Sequence, residues 1–317
     1  MNTRFIIRRA LFSVFVVIGV TLAVFLIIQL VPGDPARVSL GMQATEENVA
    51  ARRARLGLDR PIYEQYFDWV GNAVQGDFGD SLITGQAITP QIENRLPVTL
   101  QLAGLALLVG MVIAFPLGIL AALRPGSPLD TIATIISQLG VAVPDFWMSI
   151  LLVLLFSTQL DWLPPSGYVA PGDDFREWLE HMILPAMTAG FISASIQTRF
   201  IRSAMLEVLR QNYVITARAK GLRERVVVLN HALRNALITI VTVIGLQVTA
   251  LLSAVVVIEI VFTLPGLGSL ALDAVLDRDY PLVQATVLVI ALLVTAVNLV
   301  VDMIYFTLDP RIAHLED

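Results

Sequence analysis

Four stretches of this chain run long enough to cross a bilayer without meeting a charge: Ala10–Val31, Leu96–Leu123, Asn235–Ile258 and Tyr280–Val301. A membrane helix needs roughly 17–25 mostly apolar residues to cross about 30 Å of hydrocarbon. Thr131–Leu160, third in chain order, is a further run, interrupted only by Asp145, which follows Pro144. Proline frees backbone groups and kinks a helix, so this run is expected to bend or break there. Met182–Thr198 is a weaker sixth, short and rich in Ala, Gly, Ser and Thr. It reads as a span or as a re-entrant segment. The span is preferred, because small residues let helices pack closely in lipid.

The segments between the runs carry their own patterns. After the first run, Thr45 with Glu46 and Glu47 behind it predicts a capped helix that ends near Gly57. A second helix is expected from about Pro61, with Ile62, Tyr66, Phe67 and Val70 on one face. Gly76-Asp77-Phe78-Gly79-Asp80 reads as a turn. This loop is a small folded cap, a docking surface for an extracytoplasmic partner, or both. Between the fourth and fifth runs, a helix is expected over 203–219, with Leu206, Leu209, Tyr213 and Ala217 on one face. Gly221 interrupts it and helix resumes over 222–233, giving an elbow at Lys220-Gly221-Leu222. From charge alone the elbow lies on anionic headgroups or is presented to a cytoplasmic partner.

Composition agrees with a membrane protein. Of 317 residues, 56% are hydrophobic and 15% charged, and mean hydropathy is +0.76. Soluble domains run nearer about 45–50% apolar and about 25% charged. Net charge is −5, so no global basic field points to nucleic acid. No cysteine is present, which excludes disulfides, thiolate metal sites and cysteine catalysis. The only lysine, Lys220, precedes Gly221 and not Ser or Thr, so the chain has no P-loop of its own. His181, His231 and His314 have no zinc spacing.

Charge placement sets the orientation. Arg4, Arg8 and Arg9 precede the first run, and eight basic residues lie from Arg199 to Arg234. The loops after the third and fifth runs are acidic. Six spans with both termini inside satisfy this. The first run reads as an anchor, since no small-residue cleavage site follows it. The expected division is an N-terminal tail and first span (1–31), an extracytoplasmic cap (32–95), a five-helix core (96–310) containing the inner loop 203–234, and a cytoplasmic tail (311–317).

Several stretches resemble a known family. Tyr213-Val214-Ile215-Thr216-Ala217-Arg218-Ala219-Lys220-Gly221-Leu222, followed by His231-Ala232-Leu233-Arg234-Asn235-Ala236-Leu237, is similar to the EAA loop of ABC-importer permeases. More narrowly it resembles the first-subunit branch of the dipeptide, oligopeptide and nickel permeases. Leu56-Gly57-Leu58-Asp59-Arg60-Pro61 and Gly76-Asp77-Phe78-Gly79 in the outer loop agree, as do Trp162-Leu163-Pro164-Pro165-Ser166-Gly167 and Pro265-Gly266-Leu267-Gly268. Asp279-Tyr280-Pro281-Leu282 and Asp309-Pro310-Arg311 complete the match. One departure is plain: aligned on Gly221, the Glu-Ala-Ala positions are Ile215, Thr216 and Ala217, so the acidic residue is missing.

The resemblance implies an all-α type I ABC importer permease with six transmembrane helices. It implies a second related permease, two ABC ATPase subunits that dock on the elbows and carry the ATP and magnesium, and an extracytoplasmic binding protein. The chain itself would bind no cofactor. Thr216, Ala217, Arg218, Ala219, Lys220, Gly221 and Leu222 are then the coupling elbow. The substrate would be a di- or oligopeptide, with nickel or its chelates, glutathione and oligosaccharides as alternatives.

Charged groups inside spans are functional candidates. Asp145 lines the pathway, binds a peptide ammonium, or pairs within the bundle. Glu259 is a gate or pathway residue, or makes structural hydrogen bonds. Asp302 reads as a cap or as an ion pair with Arg311. An ion-coupled transporter would be expected to show an inverted repeat, and none is convincing. The motifs of intramembrane hydrolases are absent.

Overall fold

The structure is a computed structural model that describes residues 3–30 and 33–308. The expected tail 311–317, the Asp309-Pro310-Arg311 motif, His314 and any Asp302–Arg311 pair lie outside the described residues. The architecture is all-helical, as lipid requires of a chain that must satisfy its backbone groups internally. Among the described residues, five helices are long and apolar enough to cross a membrane: Ile7–Leu30, Ile88–Leu123, Phe175–Leu209, Glu224–Val261 and Tyr280–Ile304. The weak run Met182–Thr198, fourth in chain order, is therefore the middle of a 35-residue helix.

The third run is not one straight span. It is a pair of helices, Pro128–Ala142 (α6) and Asp145–Gln159, bent by 109° at the break. Val143 is extended at φ −89°, ψ 124°, and Pro144 has ψ 145°. Proline has no N–H to continue the ladder and drives the residue before it out of helical geometry. The second arm begins as α7, Asp145–Leu152, and widens to a π turn over Val153–Gln159.

The chain divides into two compact units. The first comprises Met1–Thr99 and Pro265–Ala296. It begins with α1, Thr3–Leu30. A short α2, Pro35–Leu40, follows, capped by the Asp34 carboxylate and started by proline at its first position. In α3, Glu46–Leu56, the Thr45 hydroxyl accepts from Asn48 N, and Gly57 ends the helix in the left-handed region at φ 67°. Helix α4, Ile62–Val74, follows Pro61. The outer part of α5, Ile88–Leu123, packs with α12, Leu267–Leu276, and the start of α13, Tyr280–Leu308, around Ile88, Ile92, Leu267, Leu270 and Leu282. Asp279, 2% exposed, ties this unit together. The Ser81 hydroxyl donates to its carboxylate, and Leu82 N donates to the other oxygen at 3.1 Å. Leu267 N donates to the Thr99 hydroxyl at 2.8 Å.

The second unit comprises Leu100–Leu264 and Val297–Asp317. At its centre is α8, Phe175–Leu209, which packs on α6, α7 and α11, Arg234–Val261. Its contacts are made close by small residues. A Cβ placed on Gly190 would sit 2.6 Å from Val109 and 2.9 Å from the Ala106 carbonyl, and one on Gly118 would sit 2.8 Å from Ile201. A Cβ on Gly140 would overlap Ser195, bringing α6 equally near. Gly245 holds α11 against Val301 of α13 in the same way.

Overpacking a close crossing costs about 1–3 kcal/mol. Gly190→Leu is therefore expected to lower the thermal unfolding midpoint of the detergent-solubilised protein. Gly104→Leu, where nothing lies within 4 Å of the added carbon, is expected to leave it near wild type. Equal midpoints for the two variants would show that the α5–α8 approach does not carry stability.

Candidate functional site

The inner loop is built from the end of α8 and two further helical pieces. Helix α8 stops at Leu209, and Gln211 is extended at ψ 145° before α9, Asn212–Ala219, begins. The single helix expected over 203–219 is thus two, and the break resets the helical phase. Val214 takes the buried position expected of Tyr213, and Tyr213 is 44% exposed. Ala217 is buried as expected.

After α9 the chain turns in a Schellman motif. Gly221 N donates to the Arg218 carbonyl at 2.9 Å and Leu222 N to the Ala217 carbonyl at 3.4 Å. Gly221 supplies the left-handed residue this closure needs, at φ 75°. A short helix α10, Glu224–Val226, runs into a π turn over Val227–Leu233 and on into α11.

Two kinds of contact fix the elbow. Val214 and Ala217 pack with Met205, Leu209, Val227, Val228 and Ala232, joining α8, α9 and the root of α11 in one apolar cluster. Across the turn, Arg218 grips Glu224 through two bonds, Nη2 to Oε1 at 2.7 Å and Nε to Oε2 at 3.2 Å. That bond holds the Arg218 guanidinium above its ordinary pKa. The pair is partly exposed, so it is worth at most about 1 kcal/mol, but its forked geometry restricts the angle of the turn.

The expected coupling residues therefore divide. Ala217 faces the apolar cluster, and Arg218 clasps the turn. Thr216, Ala219, Lys220, Gly221 and Leu222 are exposed along the outer edge, with Ile215 and Val226 exposed nearby.

Asp145 and Glu259 are placed differently. Asp145 is the first residue of α7, half-buried at the break, where a carboxylate favours the helix dipole. Glu259 is fully buried in α11. A cavity of about 390 Å³ in this unit lies between α6 and α8, lined by Thr134, Ser137, Gln138, Thr198 and Arg199 among others, and neither carboxylate lines it. Gln101 serves as glue, accepting from the Tyr168 hydroxyl at 3.2 Å and the Trp178 indole at 3.0 Å. Burial pushes the Tyr168 phenol above its ordinary pKa.

One pair was not foreseen. Arg202 of α8 binds Asp130 of α6 in bidentate fashion, at 2.5 Å and 2.8 Å. Gly126 N also donates to Asp130 at 2.9 Å. The signal in the sequence was a lone carboxylate immediately before an apolar run, close enough to the packed helices to call for a cation.

Taken together, a helical multi-pass core with a stapled, basic elbow is that of a membrane permease. The chain belongs to the family of binding-protein-dependent transport system inner membrane components, whose model matches residues 114–314, with its N-terminal component at 2–103. It is therefore a multi-pass protein of the bacterial inner membrane, and a permease component of ABC importers, not a catalytic subunit. It is 42% identical over 331 residues to the di/tripeptide transport system permease protein DppB of Pseudomonas aeruginosa (strain UCBPP-PA14), covering 98% of each chain. It is 38% identical to the oligopeptide transport system permease protein AppB of Bacillus subtilis (strain 168), covering 98% of this chain and 99% of that one. Among solved structures, it is similar to the MetNI methionine ABC transporter in inward-facing conformations, with TM-score 0.56 and 16% identity over 69% of this chain and 96% of that one. A second, an amino acid ABC transporter with histidines, gives TM-score 0.50 and 15% identity over 70% and 94% of the two chains. These two likenesses concern the fold.

Removing one partner of a largely buried ion pair strands the other. Asp130→Asn and Arg202→Gln are each expected to cost on the order of 2–4 kcal/mol, below the fully buried case because Arg202 is about a third exposed. The double variant is expected to recover part of that loss in a thermal-unfolding cycle. Additive losses would show that the two groups do not depend on each other.

Proposed function

We propose that the chain forms half of the translocation pathway of an ATP-driven importer of di- or oligopeptides. The observation that carries this reading is the end-to-end match to peptide permeases, which spans 98% of this chain and 98% and 99% of the two relatives. A second, related permease supplies the other half. An extracytoplasmic binding protein delivers the peptide. Two ATPase subunits dock on the elbows and hold the ATP and magnesium, since this chain has no P-loop.

The geometry of the elbow suits it to transmit force. Its exposed edge, from Thr216 to Leu222, offers small residues for close backbone approach and the Leu222 side chain, 41% exposed, for an apolar socket on the ATPase. Behind that edge, the apolar cluster joins the elbow to both α8 and α11. Nucleotide binding closes the ATPase dimer and moves the elbow as a unit. The displacement passes into those two helices, and the bundle exchanges inward-facing for outward-facing states. The loaded binding protein favours the state it docks to, because a ligand shifts an equilibrium only by its differential affinity.

Two measurements test the reading. In proteoliposomes holding the complete transporter, uptake of a labelled dipeptide is expected to require binding protein outside and ATP inside. Uptake driven by a proton or sodium gradient alone would replace the reading with an ion-coupled carrier. Gly221→Val strains the left-handed position by about 1–2 kcal/mol and reshapes the tip. It is expected to leave the complex assembled and hydrolysing ATP while uptake falls. Normal uptake by this variant would remove the elbow tip from the coupling path.

A further inference from the structure

We infer that α4 is not a solvent-surrounded part of the outer cap but an interfacial helix, seated in the outer leaflet beside α1 with its exposed apolar stripe against lipid. The helix sorts its side chains into three sectors. Tyr66 and Trp69 face α1, where Trp69 stacks on the Phe25 ring at 6.2 Å and Tyr66 meets it edge-on at 5.4 Å. Glu64, Asp68, Gly71 and Asn72 lie on the opposite, polar side, where Asp68 pairs with Arg60 at 2.8 Å. Between these sectors runs a stripe of Tyr63, Phe67, Val70 and Val74, spaced four, three and four apart. Tyr63 is 63%, Phe67 68% and Val74 83% exposed.

Depth along α1 decides what covers this stripe. The span Ile7–Leu30 has 24 residues. At about 1.5 Å per residue it is about 36 Å long, against about 30 Å of hydrocarbon, so centring it leaves Leu30 about 3 Å outside. Phe25 then lies about 4–5 Å inside the boundary and Thr21 about 10 Å inside. The Tyr66 hydroxyl shares a 2.9 Å hydrogen bond with the Thr21 hydroxyl, and the Gln29 amide donates to Gln65 at 3.4 Å. Helix α4 therefore crosses α1 at the level of the outer acyl chains and headgroups. Leu22 and Leu26 of α1, within a helical turn of Phe25, are exposed as well. An amphipathic helix at that depth rests with its apolar face about 5–10 Å into the leaflet, and Tyr and Trp are the residues that favour this boundary.

The chain contains no cysteine, so single labels are straightforward. Nitroxides are placed at Phe67→Cys and Val74→Cys on the stripe and at Glu64→Cys and Asn72→Cys on the polar face. They are read in the assembled transporter, freed of cysteines in its other subunits, in phosphatidylethanolamine–phosphatidylglycerol liposomes without binding protein. All four positions are exposed, the one ring contact given up being that of Phe67 edge-on to Tyr66 at 5.5 Å, and ATP-dependent uptake verifies that each labelled transporter is folded. The ratio of oxygen to water-soluble nickel-chelate collisions is expected to be roughly threefold or more higher on the stripe than on the polar face, with or without binding protein. Equal, water-like ratios at all four positions would overturn the inference. So would nickel access to Phe67→Cys and Val74→Cys that disappears only on adding binding protein, which would make the stripe a protein docking face.

Discussion

The close approach of α8 to its neighbours is the contact on which the second unit depends. In lipid, burying apolar surface gives no driving force between helices, so packing must come from fit. Glycines at 110, 118, 140 and 190 let α5 and α6 come within contact of the α8 backbone or of its short side chains. This is why the least hydrophobic of the spans is also the most buried. Once α8 is held on several sides, the Asp130–Arg202 pair can form at its inner half, where water no longer separates the charges. The elbow is then an extension of a helix that is already fixed.

Local signals were legible along the chain. Thr45 and Gly57 marked both ends of α3, and Gly221 marked the turn of the elbow, because caps and left-handed closures are decided within a few residues. Pro144 marked the break in the third run, but nothing local sets its angle. Phase was not legible. Arg210-Gln211 contains neither glycine nor proline, so nothing in the pattern showed that α8 stops there, and Tyr213 was read as inward where Val214 is. Asp34-Pro35 carries an ordinary helix-start signal, yet no helix was expected at α2. Asp130 and Arg202 are 72 positions apart, and Ser81 and Asp279 are 198 apart. Pairings of that kind are products of the packed fold and not of periodicity.

The candidate site was legible in outline and not in role. The segment from Thr216 to Leu222 was read as one coupling elbow, with only Ala217 assigned to the inward face. Folded, it has an inner residue, Ala217, a clasp, Arg218, and an outer edge. The missing acidic residue of the EAA pattern bears on this. With Ile215 at that position, the elbow has no carboxylate in α9 itself, and the carboxylate that restrains Arg218 comes from Glu224, across the turn. The charge that closes the elbow is thus on its second limb.

That arrangement makes the two exits from the elbow mechanically unequal. On one side α9 meets the end of α8 through the buried Val214, Leu209 and Met205. On the other, the route to α11 passes through the π turn at Val227–Leu233. A π turn is one of the few places at which a helix bends without proline, because its wider ring leaves the backbone bonds easier to rearrange. Its inner face, Val227, Val228 and Ala232, stays in the apolar cluster, so the turn can change shape without leaving it. If the elbow couples as proposed, a push on its tip reaches α8 through packed side chains but reaches α11 only through a turn that can bend. Since α6, α7 and α11 all pack on α8, that side of the elbow is where the proposed coupling would draw on the unit, with the π turn taking up the difference.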